Sequence, residues 1–186
     1  MVTQSGPRIA PLEPPYAADI QADFDAIMRG APPLILFRVM AKNARAWQKF
    51  RAGGLLDRGA LTLRQREIVI DRTCALNKCE YEWGVHVAIF AKAAELSDAQ
   101  VDATVNGTPD AACWSPAEQA LLRTVDALHH RATLSDVEFA ALAAHYDEAQ
   151  IFEIILLCGF YRTVSCLANG LRLPLEQTAA RFPSSA

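Results

Sequence analysis

Five short motifs in the last two-thirds of the chain mark the starts of helices. In each, Ser, Thr or Asp precedes Glu or Gln by three positions, at residues 62–65, 97–100, 115–118, 135–138 and 147–150. This pattern is a capping box, in which two side chains accept hydrogen bonds from otherwise unpaired backbone amides at the start of a helix. The apolar spacing around these motifs is helical, and no segment alternates as a strand would. The sequence therefore predicts an all-α fold, a single-domain helical bundle.

The predicted organisation is one domain with short extensions, since 186 residues suit one hydrophobic core. Four prolines predict that residues 1–15 form an extended arm over a surface or a neighbouring subunit. The helical domain is placed at 16–176 and a C-terminal tail at 177–186. Helices are predicted over residues 18–28, 34–50, 63–76, 80–94, 98–105, 116–131, 136–145 and 148–171.

Charge and composition exclude several classes of partner. Lys plus Arg is 18 and Asp plus Glu is 21, giving a net charge of −3, which argues against nucleic acid and anionic membranes as partners. The longest apolar stretch, residues 151–161, is too short to span a bilayer and contains Glu153. The N-terminus lacks the pattern of a secretory signal, and five irregularly spaced cysteines favour free thiols. We expect a cytoplasmic protein.

Residues 66–86 contain the side chains most suited to chemistry. Asn77 and Lys78 interrupt the helical pattern, which places Cys79 at a helix start, where the helix dipole would lower the pKa of its thiol. Helical spacing puts two sets of side chains on shared faces. The first set is Glu67, Asp71 and Cys74, and the second is Cys79, Glu82 and His86. If the two helices pack antiparallel, these groups converge in one pocket.

The spacing of these residues resembles the alkylhydroperoxidase D and carboxymuconolactone decarboxylase superfamily. Its peroxidase branch has a Glu, eleven residues, then C-x-x-C-x-x-x-H, and Glu67, Cys79 and His86 match this pattern. Glu82 stands where the second redox cysteine would be, as in a subgroup with C-E-Y-E-W-x-x-H. The resemblance implies an all-helical domain that forms homo-oligomers (dimers, trimers or hexamers), with the active site close to subunit contacts.

The resemblance implies two competing reactions on a small-molecule substrate. The first is a peroxiredoxin-type, antioxidant reduction of hydroperoxides, with Cys79 as nucleophile and His86 and Glu67 relaying protons. Cys74 would then resolve the oxidised thiol, unless it is a buried core cysteine and an external thiol acts instead. The second is cofactor-free decarboxylation, isomerisation or lysis of a small carboxylated lactone or related carbon acid.

In the second reaction Glu82 would fix the tautomer of His86, with Glu67 as a further carboxylate whose pKa rises if the pocket is dry. The simpler alternative is that Glu82 and His86 form an ordinary surface pair. A third function is a non-catalytic oligomer that binds a small molecule. Tyr81 and Trp83 are predicted to pack in the core or to line the pocket. No metal-ligand spacing is present in this stretch, so neither a metal nor a cofactor is expected.

Overall fold

The computed structural model describes residues 6–184, and this part of the chain is helical without strands. Its helices are α1 (Ala18–Met28), α2 (Ile35–Met40), α3 (Ala44–Arg51), α4 (Leu63–Leu76), α5 (Glu80–Phe90), α6 (Asp98–Val105), α7 (Pro116–Arg131), α8 (Asp136–Ala143) and α9 (Glu148–Gly170). The all-α prediction is confirmed. Residues 1–5 and 185–186, the ends of the predicted arm and tail, lie outside the described residues.

All five predicted capping boxes are present, at the starts of α4, α6, α7, α8 and α9. In each, the N-cap side chain accepts from the third amide of the helix, and the third side chain accepts from the N-cap amide. These helix starts are therefore determined by local sequence.

Four of the predicted helices differ from the structure. The helices predicted over 136–145 and 148–171 end at 143 and 170, and two differences are larger. The single helix predicted over 34–50 is divided into α2 and α3, because the side chain of Asn43 accepts from the Ala46 amide and starts a new helix. The helix predicted over 80–94 ends at Phe90. There the chain turns back at Glu95, which has φ of 54°, and the Leu96 amide donates to the Ala91 carbonyl.

Helix α4 is the centre of the bundle. It packs on α5, α7 and α9, and every residue from 67 to 74 is buried. A helix buried on all sides must find partners for its polar groups. Arg72 does so by donating to both carboxylate oxygens of Asp126 and to the carbonyls of Thr104 and Gly107.

The chain ends that the structure describes lie against the chain itself. The Arg8 amide donates to the Leu171 carbonyl, and the Leu12 amide donates to the Arg38 carbonyl. Near the other end, the Ala180 amide donates to the carbonyl of Gly84 on α5. Residues of α1, α2 and α3 form a separate small core around Phe24 and Trp47, and this N-terminal segment covers one side of the bundle.

Helix α9 is the one helix within residues 6–184 that is long and apolar enough to cross a membrane on length and composition alone. Of its most apolar stretch, 44% is buried inside the protein, so many of its apolar side chains pack in the core. Phe152 and Leu156 lie on its outer side and are largely exposed. Homo-oligomerisation stays a prediction.

Candidate functional site

The turn between α4 and α5 determines how the site is assembled. Lys78 takes φ of 53°, its amide donates to Ala75, and the next amide, that of Cys79, donates to the Cys74 carbonyl. These two bonds form a Schellman motif, which ends α4 and reverses the chain. The predicted break at Asn77 and Lys78 is thus confirmed, and α5 runs back along α4.

The reversal brings the imidazole of His86 between two carboxylates. Its Nδ1 lies 2.7 Å from Oε2 of Glu67 on α4. Its Nε2 lies 3.5 Å from Oε1 of Glu82, one turn earlier on α5. The other oxygen of Glu67 accepts from Nε of Arg66 at 2.9 Å. The guanidinium of Arg66 in turn lies over the ring of Phe90, 5.4 Å from its centroid.

The charge state of His86 follows from these contacts. Burial alone would lower the pKa of the imidazole, but the hydrogen bonds and charges of Glu67 and Glu82 raise the pKa to about 10. His86 is therefore an imidazolium at neutral pH, with both ring nitrogens as donors.

Two sequence-based interpretations of this pair need correction. Glu82 and His86 are buried, at 7% and 3% exposure, so the alternative of an ordinary surface pair is wrong. The shorter contact to the ring comes from Glu67, not from Glu82. Glu67 therefore holds the imidazole more closely than Glu82 does, and Glu82 lies at the other ring nitrogen.

The prediction of a low thiol pKa at Cys79 is wrong. Cys79 is fully buried, and this burial raises the pKa of its thiol more than the amides of Glu82 and Tyr81 and the hydroxyl of Ser165 lower it. Burial, with the charge of Glu82, also raises the pKa of Cys74 well above its ordinary value. The Cys79 amide donates to the Cys74 carbonyl at 2.9 Å, and the charge of Cys79 contributes to the raised pKa of Cys74, so the two cysteines lie close together.

Asp71 also lies in this cluster and is 1% exposed. Neither of its carboxyl oxygens has a hydrogen-bond partner within residues 6–184. Burial raises the pKa of Asp71 well above its ordinary value; the charge of His86 opposes this rise, and that of Glu67 adds to it. Asp71 is therefore more readily protonated than an exposed aspartate.

A cavity of about 660 Å³ lies next to the carboxylate–imidazole pair. Its buried inner wall is formed by Glu82, His86 and Tyr161. Five further aromatic side chains line it: Phe37, Trp47, Phe50, Phe90 and Phe160. Arg51 and Asp57 also line the cavity. Cys74 and Cys79 are absent from the described residues that line it, so the thiols lie behind the wall that Glu82 and His86 present.

Tyr81 and Trp83 are core residues that do not line this cavity. The Tyr81 hydroxyl accepts from the Leu36 amide and donates to Glu176, and Trp83 Nε1 donates to the Thr104 hydroxyl at 2.9 Å. Of the two predicted roles, packing in the core is the one that the structure has. Both rings hold α5 against its neighbours.

Tyr161 is a residue of the site that was not predicted from the sequence. Its ring stands edge-on to His86, with centroids 5.0 Å apart and planes at 90°. Its hydroxyl has no hydrogen-bond partner within residues 6–184, although the residue is 1% exposed. The one available signal was a hydroxyl-bearing ring at the end of an apolar run, which periodicity alone reads as core.

No group of three or more His, Cys, Asp and Glu side chains in the described part of the chain is arranged to hold a metal ion. The chemistry that the site itself offers is proton transfer. It has a carboxylate at Glu82, an imidazolium at His86 and a phenol at Tyr161, all next to an apolar space.

Comparisons with known proteins agree with the predicted family. Residues 41–127, which contain the site, match the family model of the carboxymuconolactone decarboxylase family. No curated protein matches the chain. An uncharacterised peroxidase-related protein from Silicibacter sp. TM1040 has a TM-score of 0.80 at 16% identity, over 98% of this chain and 100% of that one.

Two other solved structures are similar. An uncharacterised peroxidase-related protein with an alkylhydroperoxidase AhpD core, from Ralstonia eutropha JMP134, has a TM-score of 0.78 at 21% identity, covering 91% and 93% of the two chains. A cysteine-to-alanine variant of the debrominase Bmp8, in complex with 2,3,4-tribromopyrrole, has a TM-score of 0.74 at 17% identity, covering 96% and 94%. Residues 41–127 thus match the carboxymuconolactone decarboxylase family, and the helical fold is similar to that of a protein with an alkylhydroperoxidase AhpD core.

Proposed function

We propose that this protein is a cofactor-independent proton-transfer enzyme, an isomerase or lyase that acts on a carbon acid, a small molecule with an acidic C–H beside a carbonyl group. One observation carries this proposal. The groups that reach the cavity are acid–base groups, Glu82 and His86, whereas the thiols of Cys74 and Cys79 lie behind them and are fully buried. The family includes enzymes, among them a decarboxylase.

Glu82 is the proposed base. Its side chain lines the cavity and is 9% exposed. Its Oε2 has no hydrogen-bond partner within residues 6–184, so this carboxylate has the capacity to accept a proton. His86 is the proposed electrophile, since its Nε2–H can donate to a substrate carbonyl while Nδ1–H is held by Glu67.

The step is balanced without a co-reactant. The substrate C–H bond breaks and its proton moves to the carboxylate of Glu82. The electron pair of that bond forms a C=C bond, and the carbonyl π pair moves onto oxygen, where the His86 imidazolium and the Tyr161 hydroxyl donate to it. Return of the proton to the same carbon regenerates the substrate, and its return to a conjugated carbon gives an isomer.

The test is hydrogen–deuterium exchange of a carbon acid in D₂O, followed by ¹H NMR with 1-indanone as probe. We expect the wild type to exchange the protons beside the carbonyl faster than buffer does. Glu82→Gln should lose about 100-fold or more of the enzymatic rate, the usual contribution of a general base. Cys79→Ala is the matched control in the same helix and should retain the rate. Exchange no faster than buffer, or a rate that depends on Cys79 and not on Glu82, would overturn the proposal.

A second candidate, thiol-dependent reduction of hydroperoxides, is favoured by the proximity of Cys74 and Cys79, whose main chains are joined by a hydrogen bond from the Cys79 amide to the Cys74 carbonyl. In that reaction the Cys79 thiolate attacks the O–O bond and releases an alcohol, leaving a sulfenic acid. The Cys74 thiol then condenses with it to give a disulfide and water.

Mass spectrometry after treatment with cumene hydroperoxide tests this candidate. It requires a Cys74–Cys79 disulfide in the wild type and its absence in Cys74→Ser. Oxidation confined to the exposed Cys166 would exclude it.

A further inference from the structure

The cavity also indicates which carbon acid would fit, and this inference rests on the proposed function. We propose that the substrate is an uncharged, largely aromatic carbonyl compound, and not a carboxylated one such as the lactones that the family resemblance implies. Three features of the cavity support this: the charge balance at its inner wall, the absence of an unpaired cation along its lining, and the aromatic character of its walls.

The charges at the inner wall and directly behind it are paired. The cations are the imidazolium of His86 in the wall and the guanidinium of Arg66 behind it, and the anions are the carboxylates of Glu82 in the wall and Glu67 behind it. Glu67, Glu82 and His86 are buried, and the side chain of Arg66 is 12% exposed. A substrate carboxylate would find each cation of this set already paired, and it would lie beside the carboxylate of Glu82. A buried anion without a partner is strongly unfavourable.

The rest of the cavity lining has no unpaired cation that could bind a substrate carboxylate. Among the described residues that line the cavity, Arg51 is the one Lys or Arg. Its guanidinium is already paired with Asp23, and a further carboxylate, Asp57, also lines the cavity. The lining therefore has no unpaired guanidinium or ammonium group to hold a carboxylate.

The walls suit a flat apolar molecule. Phe37, Phe50, Phe90, Phe160 and Trp47 surround a volume of about 660 Å³, in the range that takes drug-sized ligands. Aromatic rings pack well against one another in stacked or edge-on arrangements. The Tyr161 hydroxyl and the His86 Nε2–H are two donors on adjacent rings of the wall, and a carbonyl oxygen can accept two hydrogen bonds. A neutral bicyclic ketone meets each of these requirements.

Calorimetric titration of the wild type with a matched pair of probes tests the substrate class. The probes are 1-indanone and 1-oxoindane-5-carboxylate, which share one ring system and differ in charge. We expect the carboxylated probe to bind at least tenfold more weakly. Equal or tighter binding of the carboxylated probe, or no binding of 1-indanone, would overturn the inference.

A designed cation provides a second test. Ile89 lines the cavity and is 55% exposed, so Ile89→Lys places an ammonium group there without emptying the core. We expect it to shift the ratio of the two affinities about tenfold toward the carboxylated probe. Val137→Lys, at a 79% exposed position of α8 outside the cavity lining, is the control and should leave the ratio unchanged. An equal shift in both variants would contradict the charge argument.

These experiments separate this inference from the proposed function. If 1-indanone binds with the expected preference but its protons are not exchanged, the substrate class stands and the proton-transfer function fails. If exchange is catalysed but the carboxylated probe binds as well as the neutral one, the function stands and the substrate class fails.

Discussion

The charge state of His86 gives the most direct test of the site. With a pKa of about 10 in the folded protein against 6.5 as its ordinary value, the imidazolium stabilises the fold fully below pH 6.5. That stabilisation is lost as the pH rises through 10. At 1.36 kcal/mol per pKa unit, the contribution has an upper bound of about 5 kcal/mol. We therefore expect the free energy of unfolding to fall between pH 7 and 10.

Glu67→Gln removes the closer of the two charges that hold this proton. An opposite charge at this distance shifts a pKa by about 1–3 units, so the pKa of His86 should fall by about 2 units. The variant should be about 3 kcal/mol less stable than the wild type at pH 6. The difference should narrow above pH 9, where the wild type also begins to lose the His86 proton.

Two measurements check this prediction. Long-range ¹H–¹⁵N NMR of the imidazole follows the pKa of His86 directly, and urea denaturation at each pH gives the stability. Glu82→Gln is the matched control, and it should lower the pKa less, since Glu82 lies 3.5 Å from the ring and Glu67 lies 2.7 Å from it. A wild-type His86 that titrates near 6.5, or a stability difference independent of pH, would refute the reasoning.

Three further substitutions test other parts of the structure. Tyr161→Phe keeps the ring against His86 but removes its free hydroxyl, and we expect exchange of 1-indanone to fall about 100-fold while the melting temperature is retained. Gly84→Ala places a Cβ against the Ala180 carbonyl oxygen; denaturation should show a loss of about 1–3 kcal/mol, with faster proteolysis of the C-terminal segment. Arg72→Met removes both hydrogen bonds to Asp126 and leaves that carboxylate unpaired, which should cost about 3 kcal/mol on denaturation.

Matched variants isolate each of these effects. A Cβ at Gly159 meets no atom within 4 Å, so Gly159→Ala should stabilise α9 by about 0.5–1 kcal/mol through helix propensity. Arg123 pairs with Asp110 at the surface, and Arg123→Gln should cost less than about 1 kcal/mol. If Tyr161→Phe exchanges 1-indanone at the wild-type rate, the hydroxyl has no part in the proposed reaction. If Arg72→Met and Arg123→Gln lose equal free energy of unfolding, burial does not strengthen the Arg72–Asp126 pair.

Features determined by neighbouring residues could be predicted from the sequence. The five capping boxes depend on contacts three residues apart, and all are present. Helical spacing also placed Glu67 and His86 on facing sides of one hairpin, where they form a hydrogen bond. The division between α2 and α3 was not predicted because Asn43 lies within a continuous helical pattern. In such a pattern an asparagine can be either an N-cap or an ordinary residue inside a helix, and here it is the N-cap of α3.

Features that depend on burial or on distant segments could not be predicted in the same way. The sign of the Cys79 pKa shift was wrong because the helix start is visible in the sequence, whereas the loss of solvent around the thiol arises from packing by other elements. Helix α5 forms part of the cavity lining, and the other walls come from residues 27–57 and from α9, which are distant from α5 in sequence. Periodicity cannot distinguish Tyr161 from a core tyrosine, since both lie on the buried face of a helix.

The residue at position 82 affects the two proposed reactions in opposite ways. Glu82 lies near Nε2 of His86 and helps to raise the pKa of that imidazole, so it supports an acid–base pair. The same carboxylate raises the pKa of both Cys74 and Cys79. A thiolate at Cys79 would add a third anion to the buried cluster that already contains Glu67 and Glu82, without a further cation to balance it. The charge that Glu82 would use as the proposed base therefore disfavours the thiolate that the proposed peroxide reduction needs, so the two proposed reactions are alternatives and not partners.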